Sequence, residues 1–348
     1  MKALAINGPG IMDLVDIPVP SPGPGEVLIA VAYAGMCGSD FPRYFDGAVR
    51  SRGQVLGHEF SGRVQALGEG VRSPRVGDRV CVAPLVPCGT CAACMEGRPS
   101  LCPTYSFIGS RRQGAFAEYV CVPARNCLVL PEGVSLRHAA LIEPLSIALH
   151  CLGDLQQIDG VDAAVFGTGV IGLLAIAVLT ANGARSVTAV DISPERLALA
   201  KEFGATSIVT NTGEAAREHF ERTRWPQLSI EIAGHPSTQV QAITHTRRGG
   251  RVALVGTAHS RVSFEASEFE SILRKELTIK GYWMSYSAPF PGHEWTWAMA
   301  FIKNNRDSID RLISAEYSLD DGPQPFLDIR HGSGSILKAL YRIGGESA

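Results

Sequence analysis

Four cysteines crowd into one short stretch of this chain. In PCGTCAACMEGRPSLC they follow the spacing Cys-x2-Cys-x2-Cys-x7-Cys, as Cys88, Cys91, Cys94 and Cys102. Four thiolates this close together can form a tetrahedral cage for a soft cation, and zinc is the first candidate. The stretch is rich in Gly, Pro and Ala, so we expect a loop that is organised by the metal. Because four protein ligands leave no open position, the predicted site is structural.

Two other interpretations of the cysteines are weaker. A pair of disulfides would suit an oxidising compartment, which nothing else in the sequence suggests. An iron–sulfur cluster is favoured by Pro103, which follows Cys102. The ferredoxin pattern, however, places three residues before its last cysteine, whereas this chain has seven. We therefore prefer zinc.

Composition excludes several classes of protein. The chain has 348 residues and a formal net charge of -2, with no dominant basic patch, so we expect no nucleic-acid partner. We see no signal peptide at the N-terminus. The longest apolar stretch, residues 170–181, is too short to span a bilayer. We expect a cytoplasmic protein without membrane contact, whose nine cysteines serve as metal ligands and free thiols.

The pattern of the chain changes near Cys151. Before it, short β-rich runs such as VLIAVAYAG alternate with Gly and Pro turns, which indicates a Greek-key or barrel-like β domain. After it, strand-like and helix-like runs alternate, which indicates a doubly wound parallel sheet. This rhythm stops near Pro289. The predicted fold is therefore α/β with two domains, residues 1–150 joined by 289–348, and residues 151–288.

A glycine-rich motif follows the first strand of the second predicted domain. In GTGVIG the candidate cofactor-binding residues are Gly167, Gly169, Val170, Ile171 and Gly172. The motif follows an apolar strand and begins an apolar helix, as in dinucleotide-binding folds. The first glycine permits a tight turn, the second lets a pyrophosphate approach, and the third allows close helix packing. The helix N-terminus offers unpaired N–H groups to the phosphates.

An acidic residue ends the next strand at the distance that this motif requires. Asp191 should accept hydrogen bonds from the adenosine ribose, and it should repel a phosphorylated ribose. The sequence therefore favours NAD over NADP. Arg196, which follows on the next helix, slightly weakens this prediction, although a single helical Arg more often faces solvent.

Three dispersed segments carry further metal-ligand types. They are Cys37 in AGMCGSD, His58 and Glu59 in VLGHEFSG, and Glu143 in ALIEPLSIALH. Each alone has a structural explanation, since a lone Cys is usually a small buried hydrophobe. Together they supply a thiolate, an imidazole and carboxylates. That set suits a catalytic zinc with an open position for water or substrate.

The ordered motifs CGSD, GHEFSG, VGDRV, CxxCxxCx7C, GAFAEY, EPL and GTGVIG resemble those of the zinc-dependent medium-chain alcohol/polyol dehydrogenases over nearly the whole chain. The resemblance implies a GroES-like β domain and a Rossmann domain, with the active site in the cleft between them. It also implies two zinc ions per chain, NAD as cofactor, and a homodimer or homotetramer.

The resemblance assigns roles to individual residues. Cys37 and His58 would ligate the catalytic zinc, and Glu143 would be the third ligand of the polyol branch. Glu59 would lie next to the metal and exchange with or replace a bound water. Ser39 would contact the substrate oxygen and begin proton release. Other family members often have a His five residues after the zinc Cys, where this chain has Pro42, so the proton is expected to continue through water.

Segments including FIGSRRQGAFAEY and WMSYSAPFPGHEW most resemble family members that act on galactitol 1-phosphate. The implied reaction transfers a hydride from its fifth carbon to NAD and yields tagatose 6-phosphate. Arg111 and Arg112 are the predicted phosphate-binding residues, because Arg pairs bidentately with phosphate. Arg43 and Lys275 are weaker candidates.

Other functions stay open at this point. An unphosphorylated polyol such as sorbitol, or L-threonine, is the alternative substrate. A zinc-free quinone reductase is disfavoured by the metal-ligand residues described above. A non-catalytic metal-storage protein is disfavoured by the intact glycine motif with Asp191.

Overall fold

The chain divides into two compact units. In the computed structural model, the described residues are 1–153, 158–332 and 336–346. One unit comprises Met1–Pro144 and Tyr286–Ala348, and the other comprises Leu145–Ser285. Parts of the predicted domains 151–288 and 289–348 lie outside the described residues. The assignment of functional domains stays a prediction.

The first 153 residues are rich in short strands. The strands are β1 (Lys2–Gly8), β2 (Ile11–Asp16), β3 (Glu26–Gly35), β4 (Gln54–Val55), β5 (Glu59–Leu67), β6 (Arg79–Val82), β7 (Leu85–Val86), β8 (Ser106–Phe107), β9 (Tyr119–Pro123) and β10 (Cys127–Val129). The helices are α1 (Asp40–Phe45), α2 (Ala92–Met95), α3 (Leu136–Ala139) and α4 (Ile142–Gly153).

Residues 158–285 alternate between strands and helices. The strands are β11 (Asp162–Phe166), β12 (Ser186–Asp191), β13 (Ser207–Thr210), β14 (Leu228–Glu231), β15 (Arg251–Leu254) and β16 (Thr278–Gly281). The helices are α5 (Val170–Ala181), α6 (Pro194–Glu202), α7 (Ala215–Arg222), α8 (Pro236–Thr244) and α9 (Ala266–Arg274).

The C-terminal part returns to the first unit. Its elements are α10 (His293–Asn304), α11 (Arg306–Leu312), β17 (Ile313–Tyr317), α12 (Gln324–His331) and β18 (Lys338–Arg342). Strand β18 pairs antiparallel with β3, so that Leu340 lies opposite Gly35. This pairing brings residues near the end of the chain to the C-terminal end of β3.

The first unit is built around β3, whose sequence EVLIAVAYAG is almost entirely buried. The largest sheet has the order β10-β6-β5-β3-β18-β17, and β9 also pairs with β3. A smaller sheet has the order β2-β1-β4. The apolar core includes the packed rings of Phe116, Phe326 and Tyr341.

The second unit is a parallel six-stranded sheet of order β13-β12-β11-β14-β15-β16. Strand β11 lies in the middle and is buried along its whole length, as expected when helices cover both faces. Counted along the chain, the order is 3-2-1-4-5-6, the arrangement of a doubly wound dinucleotide-binding sheet. No helix in the described ranges has the length and apolar character needed to cross a membrane.

Candidate active site and metal centres

Strand pairing brings the first group of metal-ligand side chains together. Gly35 at the end of β3 lies opposite Glu59 at the start of β5. Cys37 follows the one strand and His58 precedes the other, so both lie at the same edge of the sheet. One ligand atom each from Cys37, His58 and Glu59 lie within 4.8 Å of one another. An added Cβ at Gly35 would come within 2.5 Å of Glu59 Oε2, so this glycine leaves room for the carboxylate.

The imidazole of His58 lies next to a buried acid. Its Nδ1 lies 3.6 Å from Oδ1 of Asp40, whose side chain is fully buried. The ring of Phe107 packs edge-on against it at 5.5 Å between centroids. Burial lowers the pKa of His58, but the negative charges of Asp40 and Cys37 outweigh burial and raise it well above its usual value. This pocket therefore favours positive charge at the point where the ligand atoms meet.

Glu59 has a buried cationic partner from the far end of the chain. Lys338 on β18 donates to Glu59 Oε2 at 2.5 Å and to the carbonyl oxygen of Met36 at 2.7 Å. The side chains of Lys338 and Glu59 are 4% and 2% exposed. The carboxylate is therefore held in place without consuming both of its oxygens.

Glu143 lies near this group but is not one of its three close members. It begins α4, and burial raises its pKa to about 7, while His58 opposes the shift and Glu59 adds to it. This mutual influence places the Glu143 carboxyl in the same electrostatic environment. Its role as a zinc ligand stays a prediction.

Ser39 lies beside the predicted catalytic metal ligand Cys37. Its hydroxyl donates to Cys37 Sγ at 3.4 Å, and the residue is exposed. The hydroxyl is therefore both close to the metal-ligand atoms and open to solvent. This position suits the predicted proton transfer.

The structure also brings the four cysteines of the loop together. The sulfur atoms of Cys88, Cys91, Cys94 and Cys102 lie within 4.8 Å of one another. The backbone N–H groups of Thr90 and Cys91 donate to Cys88 Sγ at 3.5 and 3.3 Å, and they lower the pKa of its thiol to about 5. All nine cysteines of the chain are free.

Both groups fit zinc by their donor chemistry. Thiolates bound to one zinc at about 2.3 Å lie roughly 4 Å apart, which the four sulfurs allow because all of them lie within 4.8 Å of one another. A closed set of four sulfurs is the pattern of a structural site. The other group combines Cys37, His58 and Glu59 around a pocket that favours positive charge. Its buried His58 Nδ1 faces Asp40, which leaves the other ring nitrogen for a metal.

The glycine motif has the geometry that its sequence predicts. Gly167 has a φ of +98°, and a Cβ on it would come within 2.7 Å of the Ala233 nitrogen. A Cβ on Gly172 would come within 2.0 Å of the Gly167 oxygen. Gly169, by contrast, has open space where a Cβ would be, and no side chain caps the helix that follows. The start of α5 can therefore receive an anionic group.

A cavity of about 440 Å³ lies over this motif. Gly167, Gly169, Asp191 and Arg196 are among its lining residues. The predicted contact residues Val170 and Ile171 are half-buried at the start of α5. The predicted cofactor-binding residues therefore lie together in the second unit.

Thr168 fixes the orientation of Asp191. Its backbone N–H and its hydroxyl both donate to Asp191 Oδ2, at 2.6 and 2.8 Å. Ser193 N–H donates to the other oxygen, Oδ1, at 3.0 Å. Because a carboxylate oxygen has two lone pairs, Oδ1 can still accept a hydrogen bond from a ligand.

The two predicted phosphate-binding arginines have other partners. Arg112 forms an ion pair with Glu26 at the start of β3, the end of that strand away from Cys37. A carboxylate thus already engages this guanidinium, and the phosphate-binding role of Arg112 stays a prediction. Arg111 donates to the carbonyl oxygen of Tyr105 at 2.7 Å and stacks on its ring. Lys275 donates to two carbonyl oxygens at the end of α8, so its ammonium also has partners within the protein.

Comparison with known families gives two matches along the chain. Residues 23–132 match the alcohol dehydrogenase GroES-like domain, and residues 170–304 match the zinc-binding dehydrogenase family. Galactitol 1-phosphate 5-dehydrogenase of Escherichia coli (strain K12) is 40% identical over 343 residues, which cover 97% of this chain and 99% of that protein. The chain belongs to the zinc-dependent medium-chain alcohol/polyol dehydrogenase family. The predicted family and the predicted two-domain α/β fold are confirmed.

Other members of this family act on different substrates. Sorbitol dehydrogenase of Bacillus subtilis (strain 168) is 36% identical, covering 92% of this chain and 91% of that protein. L-threonine 3-dehydrogenase of Stenotrophomonas maltophilia (strain K279a) is 34% identical, covering 77% of this chain and 79% of that protein. Membership therefore establishes an oxidoreductase of the zinc type without fixing the substrate.

Solved structures of this dehydrogenase family agree with the fold. Galactitol-1-phosphate dehydrogenase from Escherichia coli superposes with a TM-score of 0.94 at 39% identity, covering 98% of this chain and 100% of that chain. The rspB dehydrogenase of E. coli CFT073, complexed with NADH, has a TM-score of 0.90 at 32% identity and covers 98% and 99% of the two chains. A zinc-binding dehydrogenase from Sinorhizobium meliloti 1021, bound to NADP, has a TM-score of 0.87 at 31% identity and covers 98% of each. A nicotinamide cofactor is thus supported for this dehydrogenase.

Three residues that support the site carry no clear signal in the sequence. Asp40 lies within the CGSD motif, but its contact with His58 depends on strand pairing. Lys338 lies 279 residues after Glu59. Thr168 occupies a variable position of the glycine motif. Only the last could have been suspected from its place between Gly167 and Gly169.

Proposed function

We propose that this dehydrogenase oxidises a polyol phosphate with NAD⁺, most specifically galactitol 1-phosphate to tagatose 6-phosphate. The observation that carries the chemistry is the meeting of Cys37, His58 and Glu59 beside the hydroxyl of Ser39. The substrate is supported by the similarity to galactitol 1-phosphate 5-dehydrogenase over nearly the whole chain.

Two zinc ions per chain belong to this proposal. Cys37 and His58 would hold the catalytic ion, with Glu59 or Glu143 as the carboxylate ligand. When bound, such an ion supplies Lewis acidity that makes an alcohol hydroxyl far easier to deprotonate. The four cysteines of the loop would hold the structural ion.

The side chains around the catalytic position have separate tasks. Ser39 would accept the proton of the substrate hydroxyl while passing its own hydroxyl proton to water, because its side chain is exposed and lies next to Cys37. Asp40 would stabilise the ring of His58 electrostatically, and Lys338 holds the carboxylate of Glu59. The position five residues after Cys37 is Pro42, which cannot relay a proton, so water would carry it to solvent.

The second unit would bind the cofactor. Gly169 leaves space for the pyrophosphate, and the free N-terminus of α5 offers it N–H donors. Asp191 would accept the hydroxyls of the adenosine ribose, with Thr168 holding its carboxylate in place. The nicotinamide supplies the hydride acceptor.

Four substrates distinguish the proposed function from its alternatives. We would measure NADH formation with galactitol 1-phosphate, galactitol, sorbitol and L-threonine. The proposal predicts the highest kcat/KM with galactitol 1-phosphate. A clear preference for sorbitol or threonine would assign the chain to one of those activities, which two of the relatives carry in their names. If none of the four alcohols yields NADH, the proposal of an NAD-dependent polyol dehydrogenase is contradicted.

We also propose that the enzyme is a homodimer or homotetramer, as the family resemblance implies. Light scattering coupled to size-exclusion chromatography gives the mass directly. A monomer at micromolar concentration would contradict this proposal.

A further inference from the structure

Arg43 places a cationic group beside the Cys37–Ser39 segment. It is the fourth residue of α1 and follows Ser39, which precedes that helix, by four positions, so the two lie on the same side of that turn. Its Nη1 donates to the carbonyl oxygen of Ser39 and lies 3.7 Å from Asp40 Oδ1. The guanidinium is therefore held against the backbone of Ser39, the residue whose hydroxyl we propose receives the substrate proton.

The guanidinium of Arg43 is only partly used by these contacts. Both involve Nη1, and within the described part of the chain no hydrogen bond or ion pair engages Nε or Nη2. Its side chain is 25% exposed, whereas Asp40 is fully buried. Arg43 is thus the outer member of the pair, and it presents unused donors in the fork geometry that suits a phosphate.

The other candidate cationic side chains already have partners within the protein. Arg112 pairs with Glu26, and Arg111 is stacked on Tyr105. Lys338 is buried against Glu59. Arg43 is the candidate that combines nearness to the site with free donors.

We propose that Arg43 binds the phosphate of the polyol phosphate and sets the preference for phosphorylated over free polyols. This inference rests on the proposed function. In galactitol 1-phosphate the phosphate and the reacting hydroxyl lie near opposite ends of the carbon chain. The side chain that binds the phosphate must therefore lie in the neighbourhood of the metal-ligand residues without contacting the reacting hydroxyl. A guanidinium one helical turn beyond Ser39 meets that requirement.

The test compares two substrates in five proteins. For the wild type, R43Q, R43K, R111Q and R112Q, we would measure kcat/KM with galactitol 1-phosphate and with galactitol. In R43Q the ratio of the two values should fall about 10- to 100-fold, the effect of losing a charge-assisted contact. In R43K this ratio should fall less than in R43Q, because lysine keeps the positive charge and loses only the forked geometry of the guanidinium. R112Q, whose guanidinium lies at the other end of β3, should keep the wild-type ratio.

A binding measurement separates phosphate recognition from a disturbance of Ser39. Inorganic phosphate would be titrated calorimetrically into the wild type and R43Q, each loaded with zinc and NADH. The proposal expects weaker phosphate binding to R43Q.

Three results would overturn the inference. Equal losses of kcat/KM on both substrates in R43Q, with unchanged phosphate binding, would mean that Arg43 only supports Ser39. A preference that survives in R43Q and disappears in R111Q would assign the phosphate to Arg111. If the wild type shows no preference for the phosphorylated polyol, the proposed substrate itself is wrong, which the first two results would not imply.

Discussion

Lys338 and Glu59 form a buried ion pair at 2.5 Å, although 279 residues separate them in the chain. The pair exists because β18 returns to lie against β3, and β5, which also pairs with β3, begins with Glu59. The C-terminal segment thereby fixes one carboxylate of the candidate active site. It also ties the end of the chain to the stability of the first unit.

Removing the Lys338 ammonium should destabilise the protein strongly. In K338M the carboxylate of Glu59 would stay buried without its partner, which typically costs about 3–5 kcal/mol. Urea unfolding of the first unit should show the loss. K2M is the matched control, because the Lys2–Asp320 pair is largely exposed and should contribute little. Equal stability of K338M and the wild type would show that the pair is not needed to hold Glu59.

The two predicted zinc ions should differ in how easily they leave. The four-cysteine site is closed, so its metal should resist chelators, and C102S should lower both the zinc content and the thermal stability. The Cys37, His58 and carboxylate site is open, so a chelator should remove activity before the fold is lost. Metal analysis of the active protein checks the count. One zinc per active chain would contradict the prediction.

Asp191 should determine the choice of cofactor. NAD⁺ should have a higher kcat/KM than NADP⁺, because the carboxylate repels a ribose phosphate. D191A should reduce the difference in kcat/KM between NAD⁺ and NADP⁺. T168V removes one of the hydrogen bonds that orient Asp191, so it should narrow the difference less. Steady-state kinetics with both cofactors gives these ratios, and a wild type that prefers NADP⁺ would refute the assignment.

The Ser39 hydroxyl should matter for turnover and not for cofactor binding. S39A should reduce kcat by about 10²–10⁴-fold, the usual contribution of a positioned proton acceptor. NADH affinity, measured by fluorescence titration, should stay near the wild-type value. S39T keeps a hydroxyl and should retain more activity. An unchanged kcat in S39A would mean that the proton leaves by another path or that product release limits the rate.

Much of the architecture could be predicted because its signals are local. Short strand-like runs between turns distinguish the β-rich part of the chain from the part in which strand-like and helix-like runs alternate. The second pattern predicts the parallel sheet. The start of α5 follows from glycines whose backbone requirements are visible in the motif itself. Gly167 needs a positive φ, and Gly172 needs close packing.

The availability of the candidate phosphate-binding arginines could not be predicted in this way. The sequence favours Arg111 and Arg112 over Arg43, because they lie in a loop shortly after the four-cysteine stretch and Arg pairs bidentately with phosphate. Their availability depends on their neighbours in space. Glu26 precedes Arg112 by 86 residues, and the contact exists only because the loop folds against the start of β3.

The sequence by itself predicted the four-cysteine site, the glycine motif with its acid, and the metal-ligand types of the second group. In the first two, short spacing limits how far apart the residues can lie, so their chemistry can be predicted directly. Only the tertiary structure decided which groups support them. The register of β3 with β5 and β18 brought Lys338 to Glu59, and it placed Cys37 beside His58. Strand register depends on packing across the whole unit, and no local pattern specifies such long-range contacts.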